Sequence, residues 1–257
     1  MEAITAFLEL HNIRTVVHVL NEDAPQKIPY ILVPGSEAVN IWEIMHASKD
    51  TLGYWPIIIG SAKDIQYLQD DMADSIEEEA NYQERIQEAL LINPIEWLRK
   101  AQHQAFEEEE LQLPDPYEVL RDTWPEDMKP NTNFITVYDY ARKQYHSEVG
   151  IAFIPTHIGW QVPILLAFGG WNACPKSTEH AAIVRHWTQM YQIEIVCVTH
   201  DVLEFRVHNP PRTREDALAL ARVQYAYCPD IIDQGVGSLD ALAAALLEGT
   251  AWYFWWD

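Results

Sequence analysis

A chain of 257 residues that is 48% hydrophobic is long enough for one large domain or two small ones and apolar enough to bury a core, which excludes a disordered protein. Its formal net charge of -22 argues against nucleic acid as a ligand, and its longest apolar runs fall far short of a membrane span or a secretory h-region, so a cytoplasmic protein with no membrane partner is expected. Cys174, Cys197 and Cys228 are odd in number and have no CxxC spacing, so they suggest neither a disulfide framework nor a zinc site, and no metal or cofactor is expected.

In chain order, Met1 to Asn12 has Ile4, Phe7 and Leu8 on one side of a short helix, and Thr15 to Leu20 and Tyr30 to Val33 suit strands on either side of the loop NEDAPQKIP. Ser36 is placed to cap a helix to about Ala47, with Val39, Trp42 and His46 on its buried side. YWPIIIG, Tyr54 to Gly60, is a short buried strand, and Ser61 is placed to cap the helix after it. Residues 61–110 form an acidic helical segment. From Asp70 to Glu110 there are 13 acids against 3 bases, with Ile76, Ala80, Ile86 and Leu90 at helical spacing. Asn93 as cap, Pro94 at the first position and Glu96 restart a helix, EEEELQLPDP is a loop, and the linker-like Trp124 to Asn133 sets an expected boundary near 130. Two domains are expected, an α/β unit at 1–129 and an α/β domain at 130–257.

In the second half, Ile135 to Tyr138 and Gly150 to Ile154 are strand candidates leading to Ile164–Phe168, five apolar residues between Pro163 and Gly169 that suit a strand buried on both faces. Gly169 and Gly170 suit a turn, and Pro175 suits the first turn of a helix starting near Cys174, with Ile183, Trp187, Met190 and Tyr191 as its core stripe. Ile193 to Val198 and Val202 to Val207 form a hairpin whose second strand puts Glu204, Arg206 and His208 on one polar face, either solvent or a site wall. Thr213 and Ser238 cap two more helices, and Ala251 to Trp256 suits a strand inside the sheet. The fold class is α/β, leaning to α+β, with a mixed sheet flanked by helices.

A strand, a glycine turn and a helix start would bring free N–H groups and the positive end of a helix dipole to one spot, with Gly169, Gly170, Trp171 and Asn172 in the turn and Arg185, Arg206 and Asp257 as further ligand contacts. Cys174 there, with its pKa lowered by the helix end and by Arg185 or His180, is the candidate nucleophile; the competing reading is a small buried residue that shapes the turn. His180 lies seven residues before Trp187 on the same stripe, which favours a packed histidine over a base or ligand. No pair of ionic residues between Asp201 and Arg214 has the spacing of a metal motif.

The second half resembles an uncharacterised bacterial family known as domain of unknown function 4253. The resemblance is carried by GGWNACP (Gly169 to Pro175), Glu179-His180, Arg185 to Trp187, Pro210-Pro211, TREDALALARVQYAYCPD (Thr213 to Asp230), Asp233 to Gly235 and Phe254 to Asp257, with YWPIIIG as an upstream feature. It implies no activity.

Residues 1–150 hold 28 Asp and Glu against 11 Lys and Arg, so the acidity belongs to the first half. With no catalytic motif, the expectation is a non-catalytic binding or regulatory protein with a basic protein partner, an immunity-type inhibitor of a basic toxin being one version. The alternative is an enzyme or small-anion binder using the Gly169–Pro175 turn. Oligomeric state is not readable from the sequence.

Overall fold

The computed structural model describes residues 2–21, 27–76, 81–106 and 112–257. Its first part runs α1 (Glu2–Leu10), β1 (Val17–Val19), β2 (Pro29–Val33), α2 (Gly35–Ala47), α3 (Lys49–Leu52), β3 (Trp55–Ile58), α4 (Ala62–Ile76), α5 (Tyr82–Leu91) and α6 (Pro94–Gln104). A 3₁₀ turn (Pro116–Leu120) leads to β4 (Tyr138–Asp139), β5 (Gln144–Tyr145), β6 (Val149–Ile154) and the helical turn α7 (Val162–Leu165). Then follow α8 (Ser177–Tyr191), β7 (Ile193–Val198), β8 (Val202–Val207), α9 (Arg214–Tyr227), a π-turn (Ile231–Val236), α10 (Leu239–Leu246) and β9 (Ala251–Trp255). The strands form a mixed sheet of order β1-β2-β6-β3-β7-β8-β9 beside a two-stranded ribbon, β4-β5, so the fold is α/β as expected. Among the described residues no helix is long and apolar enough to cross a membrane. The loop expected at NEDAPQKIP falls in part, and Ala80 and Glu107 to Glu110 fall wholly, outside the described residues.

The chain divides into two compact units, each discontinuous in sequence. The first comprises Met1–Ile86, Phe134–Phe168 and Ile195–Leu203; the second comprises Gln87–Asn133, Gly169–Glu194 and Glu204–Asp257. The boundary expected near 130 lies beside one of five passages of the chain from one unit to the other.

In the first unit β6 is buried at every position and pairs antiparallel with both β2 and β3, while β3 runs parallel to β7 at Ile58 and Cys197. An inner strand covered on both faces needs an unbroken apolar run, which VGIAFI supplies. Gly150 is required within it, because a Cβ there would lie 2.7 Å from the Ile59 side chain. The indole N–H groups of Trp42 and Trp55 donate to the carbonyls of Pro56 and Ile195, so two large side chains are buried without leaving a donor unsatisfied.

Three local expectations are corrected here. Ile164–Phe168 is not a strand: Val162–Leu165 is a helical turn, closed by the Phe168 N–H donating to the Pro163 carbonyl at 2.9 Å. Pro163 has no N–H for a sheet ladder and suits a first helical turn, and five buried apolar residues serve either backbone equally well. The helix expected to be capped by Ser36 begins at Gly35 after Pro34, with no side-chain cap. Of Ile135 to Tyr138 only Tyr138 enters a strand, paired with Tyr145.

The second unit keeps most of its expected punctuation. Asn93 accepts from the N–H groups of Ile95 and Glu96 at the start of α6, Thr213 accepts from Asp216 at α9, and Ser238 accepts from Ala241 at α10. Each such cap is worth about 1 kcal/mol. The core centres on Trp187, which stacks on Phe254 at 5.5 Å and meets the edges of Tyr227 and Trp252. Asp240, buried at the start of α10, accepts two hydrogen bonds from the Arg121 guanidinium and one from the Asp122 N–H. The Arg121 hydrogen bond is the main cause that holds the Asp240 carboxyl below the usual carboxylate range.

Candidate functional site

Two places in the second unit gather chemistry-bearing side chains, and α8 contributes to both. The first is the Gly169–Pro175 turn with the opening of α8. Gly169 and Gly170 take φ of +100° and +97°, and a Cβ on Gly169 would lie 2.1 Å from the Pro175 carbonyl, so only glycine fits there. The helix starts at Ser177, three residues later than expected, with the Glu179 carboxylate accepting from the Lys176 N–H at 2.7 Å. The other Glu179 oxygen accepts from the Trp97 indole at 2.8 Å, which ties α6 to this first turn.

Cys174 and His180 are brought together, with Sγ 3.4 Å from Nε2. The other ring nitrogen, Nδ1, is 2.5 Å from the hydroxyl of Tyr227, a partner 47 residues away that sequence reasoning missed. A nucleophile, a base and an orienting group stand in line, yet two facts decide the chemistry. His180 is 0% exposed, Cys174 is 6% and Tyr227 is 1%, so the row is sealed. Burial, only partly offset by a hydrogen bond to the Pro175 backbone, pushes His180 down to about 3, so the ring is neutral. The Pro175 carbonyl can only accept, so the ring's single N–H is on Nε2, the nitrogen that Tyr227 does not hold, and the Tyr227 hydroxyl donates to Nδ1. A ring whose acceptor nitrogen is already filled has no lone pair for the thiol proton.

The remaining candidates are arranged otherwise. Asn172 is exposed and its amide donates to the Asp257 backbone carbonyl at 2.8 Å, while the Asp257 N–H donates to Asp230 at 3.2 Å. These bonds stitch the turn to the segment after β9 and leave the Asp257 side chain exposed. Trp171, Arg185 and Arg206 are half-buried and engaged within the chain. The polar face expected on β8 is not one face of like character: Glu204 is fully buried, whereas His208 is exposed and pairs with Glu194 at 2.9 Å. An inner strand covers both of its faces, and alternation then no longer sorts polar from apolar.

The second place is a groove of about 450 Å³ enclosed by α6, α8, α9 and the 3₁₀ turn at Pro116–Leu120. Ile95 and Leu98 of α6, Met190 and Trp187 of α8, and Val223 and Ala226 of α9 make it mainly apolar. Met190 belongs to the stripe expected in the core, yet it is 54% exposed because α8 turns that part of the stripe into the groove. Ile95, on the facing helix, is 56% exposed.

Polar groups converge on this apolar surface. Arg222 is positioned by three contacts: its guanidinium pairs with Asp115 at 2.6 Å and lies 5.0 Å over the Tyr117 ring, and its carbonyl accepts from the Tyr117 hydroxyl at 3.0 Å. Burial first of all pushes Tyr117 up to about 12, so that hydroxyl keeps its proton. Arg99, Gln102 and His186 also line the groove and make no hydrogen bond or ion pair among the described residues. Burial lowers His186, which favours its neutral form. None of the described lining residues is Asp or Glu, although 39 of the 257 residues are, so this lining is locally cationic on an acidic chain. α6 ends at Gln104, α8 begins only at Ser177 and α9 at Arg214, so the only local signal was an over-wide apolar stripe on α8. Among the described residues no group of His, Cys, Asp and Glu is arranged to hold a metal ion.

Residues 150–257 match the family described as a domain of unknown function (DUF4253), which takes in α8, α9 and β9 but not α6. No curated protein and no solved structure matches the chain.

Proposed function

We propose that the protein is a non-catalytic binding protein and that it binds through the groove between α6, α8 and α9. The observation that carries this reading is an open concave surface of ligand size on which exposed apolar side chains stand beside polar groups that have no partner among the described residues. Small-molecule sites span about 300–1,000 Å³ and combine an apolar lining with a few convergent polar groups, and this groove has both properties. The enzyme reading lacks equivalent support. Its thiol and imidazole are sealed, and the imidazole's accepting nitrogen is taken by Tyr227. A basic protein partner for the acidic first half rests on net charge alone, which acts over any acidic surface and selects no site.

The test uses a neutral apolar dye, Nile red, titrated into the full chain. Saturable emission enhancement is expected, and it should be lost in Ala219→Trp, which fills the groove from an exposed position on α9. Binding that is absent, or unchanged by this substitution, refutes the reading.

A further inference from the structure

We infer that the groove takes an amphipathic monoanion, an apolar body carrying one carboxylate whose charge is met by Arg99 with Gln102 and His186 beside it. The inference rests on the groove being the binding surface and adds what it binds. Three observations lead to it.

The first is a difference between two arginines that line the same groove. Arg222 is paired with Asp115 at 2.6 Å and its charge is met within the chain, whereas Arg99 makes no ion pair among the described residues. Among the described residues, then, one guanidinium charge in the groove has no carboxylate partner. One unpaired guanidinium matches a single negative charge, and its planar fork of donors suits the two oxygens of a carboxylate.

The second is the absence of acidic residues from the lining. On a chain of net charge -22, the described lining carries no carboxylates, which would repel an anion. Their exclusion here leaves a positive spot that is attractive to an anion at short range, while the charge of the rest of the chain disfavours polyanions.

The third is the character of the walls. Met190 and Ile95 are more than half exposed, and Leu98 and Val223 lie beside them, so a ligand body that covers them gains from burial of apolar surface on both sides. Gln102 and His186 add hydrogen-bonding groups with no partner among the described residues, and such groups hold a ligand's polar end in one orientation.

The probes are 2-naphthoate and its neutral isostere 2-naphthamide, which share one body and differ in charge, titrated calorimetrically into the full chain at neutral pH. Naphthoate is expected to bind about tenfold more tightly than naphthamide, the scale of one charge-assisted contact in a partly dry site. Arg99→Gln should erase that ratio and leave naphthamide unchanged. Lys100→Gln, which removes an exposed cation on the same helix that does not line the groove, should preserve the ratio. The dianionic 2-naphthyl phosphate should bind no better than naphthoate.

Equal affinity for naphthoate and naphthamide, a ratio that survives Arg99→Gln, or tighter binding of the phosphate each overturns the inference while leaving the groove as a binding surface. Nile red bound but neither naphthalene derivative bound overturns it as well. If Nile red does not bind either, the groove reading falls with it.

Discussion

His180 and His186 stand six residues apart on one helix and meet opposite fates. His180 has both ring nitrogens occupied, lies at 0% exposure and is neutral because burial lowers its pKa. His186 is half-buried, faces an open groove and has no partner among the described residues. Around the first, Cys174 and Tyr227 complete what would be a catalytic row if water and substrate could reach it. Around the second, Arg99 and Gln102 are unspent donors. Polar residues satisfied by their own chain hold a fold together, whereas polar residues left waiting at a concave surface are available to something else.

The comparison breaks most readily if the sealed row is not structural. Tyr227→Ala should cost about 3–5 kcal/mol in urea unfolding, because it removes an aromatic that touches Trp187, Phe254 and Trp256 and also removes the partner of His180. A loss under 1 kcal/mol would mean the cluster is loosely packed and could open.

A pH titration of stability is the next largest effect. His180 takes its proton more readily when unfolded, at about 6.5, than when folded, at about 3, so its contribution is complete above pH 6.5 and is lost as pH falls toward 3. The expected slope is about 1.4 kcal/mol per pH unit below 6.5, read from urea midpoints between pH 7 and 4.5. His180→Asn should flatten most of it. His186 is lowered too, but it is only half-buried and should contribute the smaller share.

Tyr227→Phe isolates the hydrogen bond by leaving Nδ1 without a donor, at a cost of about 1–3 kcal/mol with the packing retained. Met190→Ala at the groove should change stability by no more than about 0.5 kcal/mol, because its side chain is more than half exposed, while Nile red binding weakens measurably. Alkylation of the native protein should leave Cys174, Cys197 and Cys228 equally slow, since all three are buried and burial pushes the Cys228 thiol up. Selective labelling of Cys174 near neutral pH would restore the nucleophile.

Local rules read much of this chain correctly and failed where two long-separated segments meet. The strands at Ile193–Val198 and Val202–Val207 and the caps Asn93, Thr213 and Ser238 follow from neighbours a few residues apart. Ile164–Phe168 was misjudged because burial alone does not choose between strand and helical turn in five residues, and only Pro163 hinted at the latter. In the candidate turn, the approach of Cys174 to His180 was visible six residues along the chain, but Tyr227 was not, and Tyr227 decides which nitrogen holds the proton. The groove was hidden for the same reason. Arg99, His186 and Arg222 come from three helices whose adjacency no periodicity encodes.

The interleaving of the two units governs how the molecule can be taken apart. Each unit draws on three separate stretches, and the chain changes allegiance five times. A cut at the first passage leaves the second unit whole on 87–257 and one at the last leaves the first unit whole on 1–203, whereas a cut at any of the three middle passages divides both units and should release no stable fragment. The stretch 150–257 produced alone would lack α6 and, with it, one wall of the groove and the indole of Trp97 that holds Glu179. On the ribosome, the first unit waits for Ile195–Leu203, and by then most of the second has also emerged. The two units therefore finish folding nearly together, under the slow kinetics that distant pairings impose.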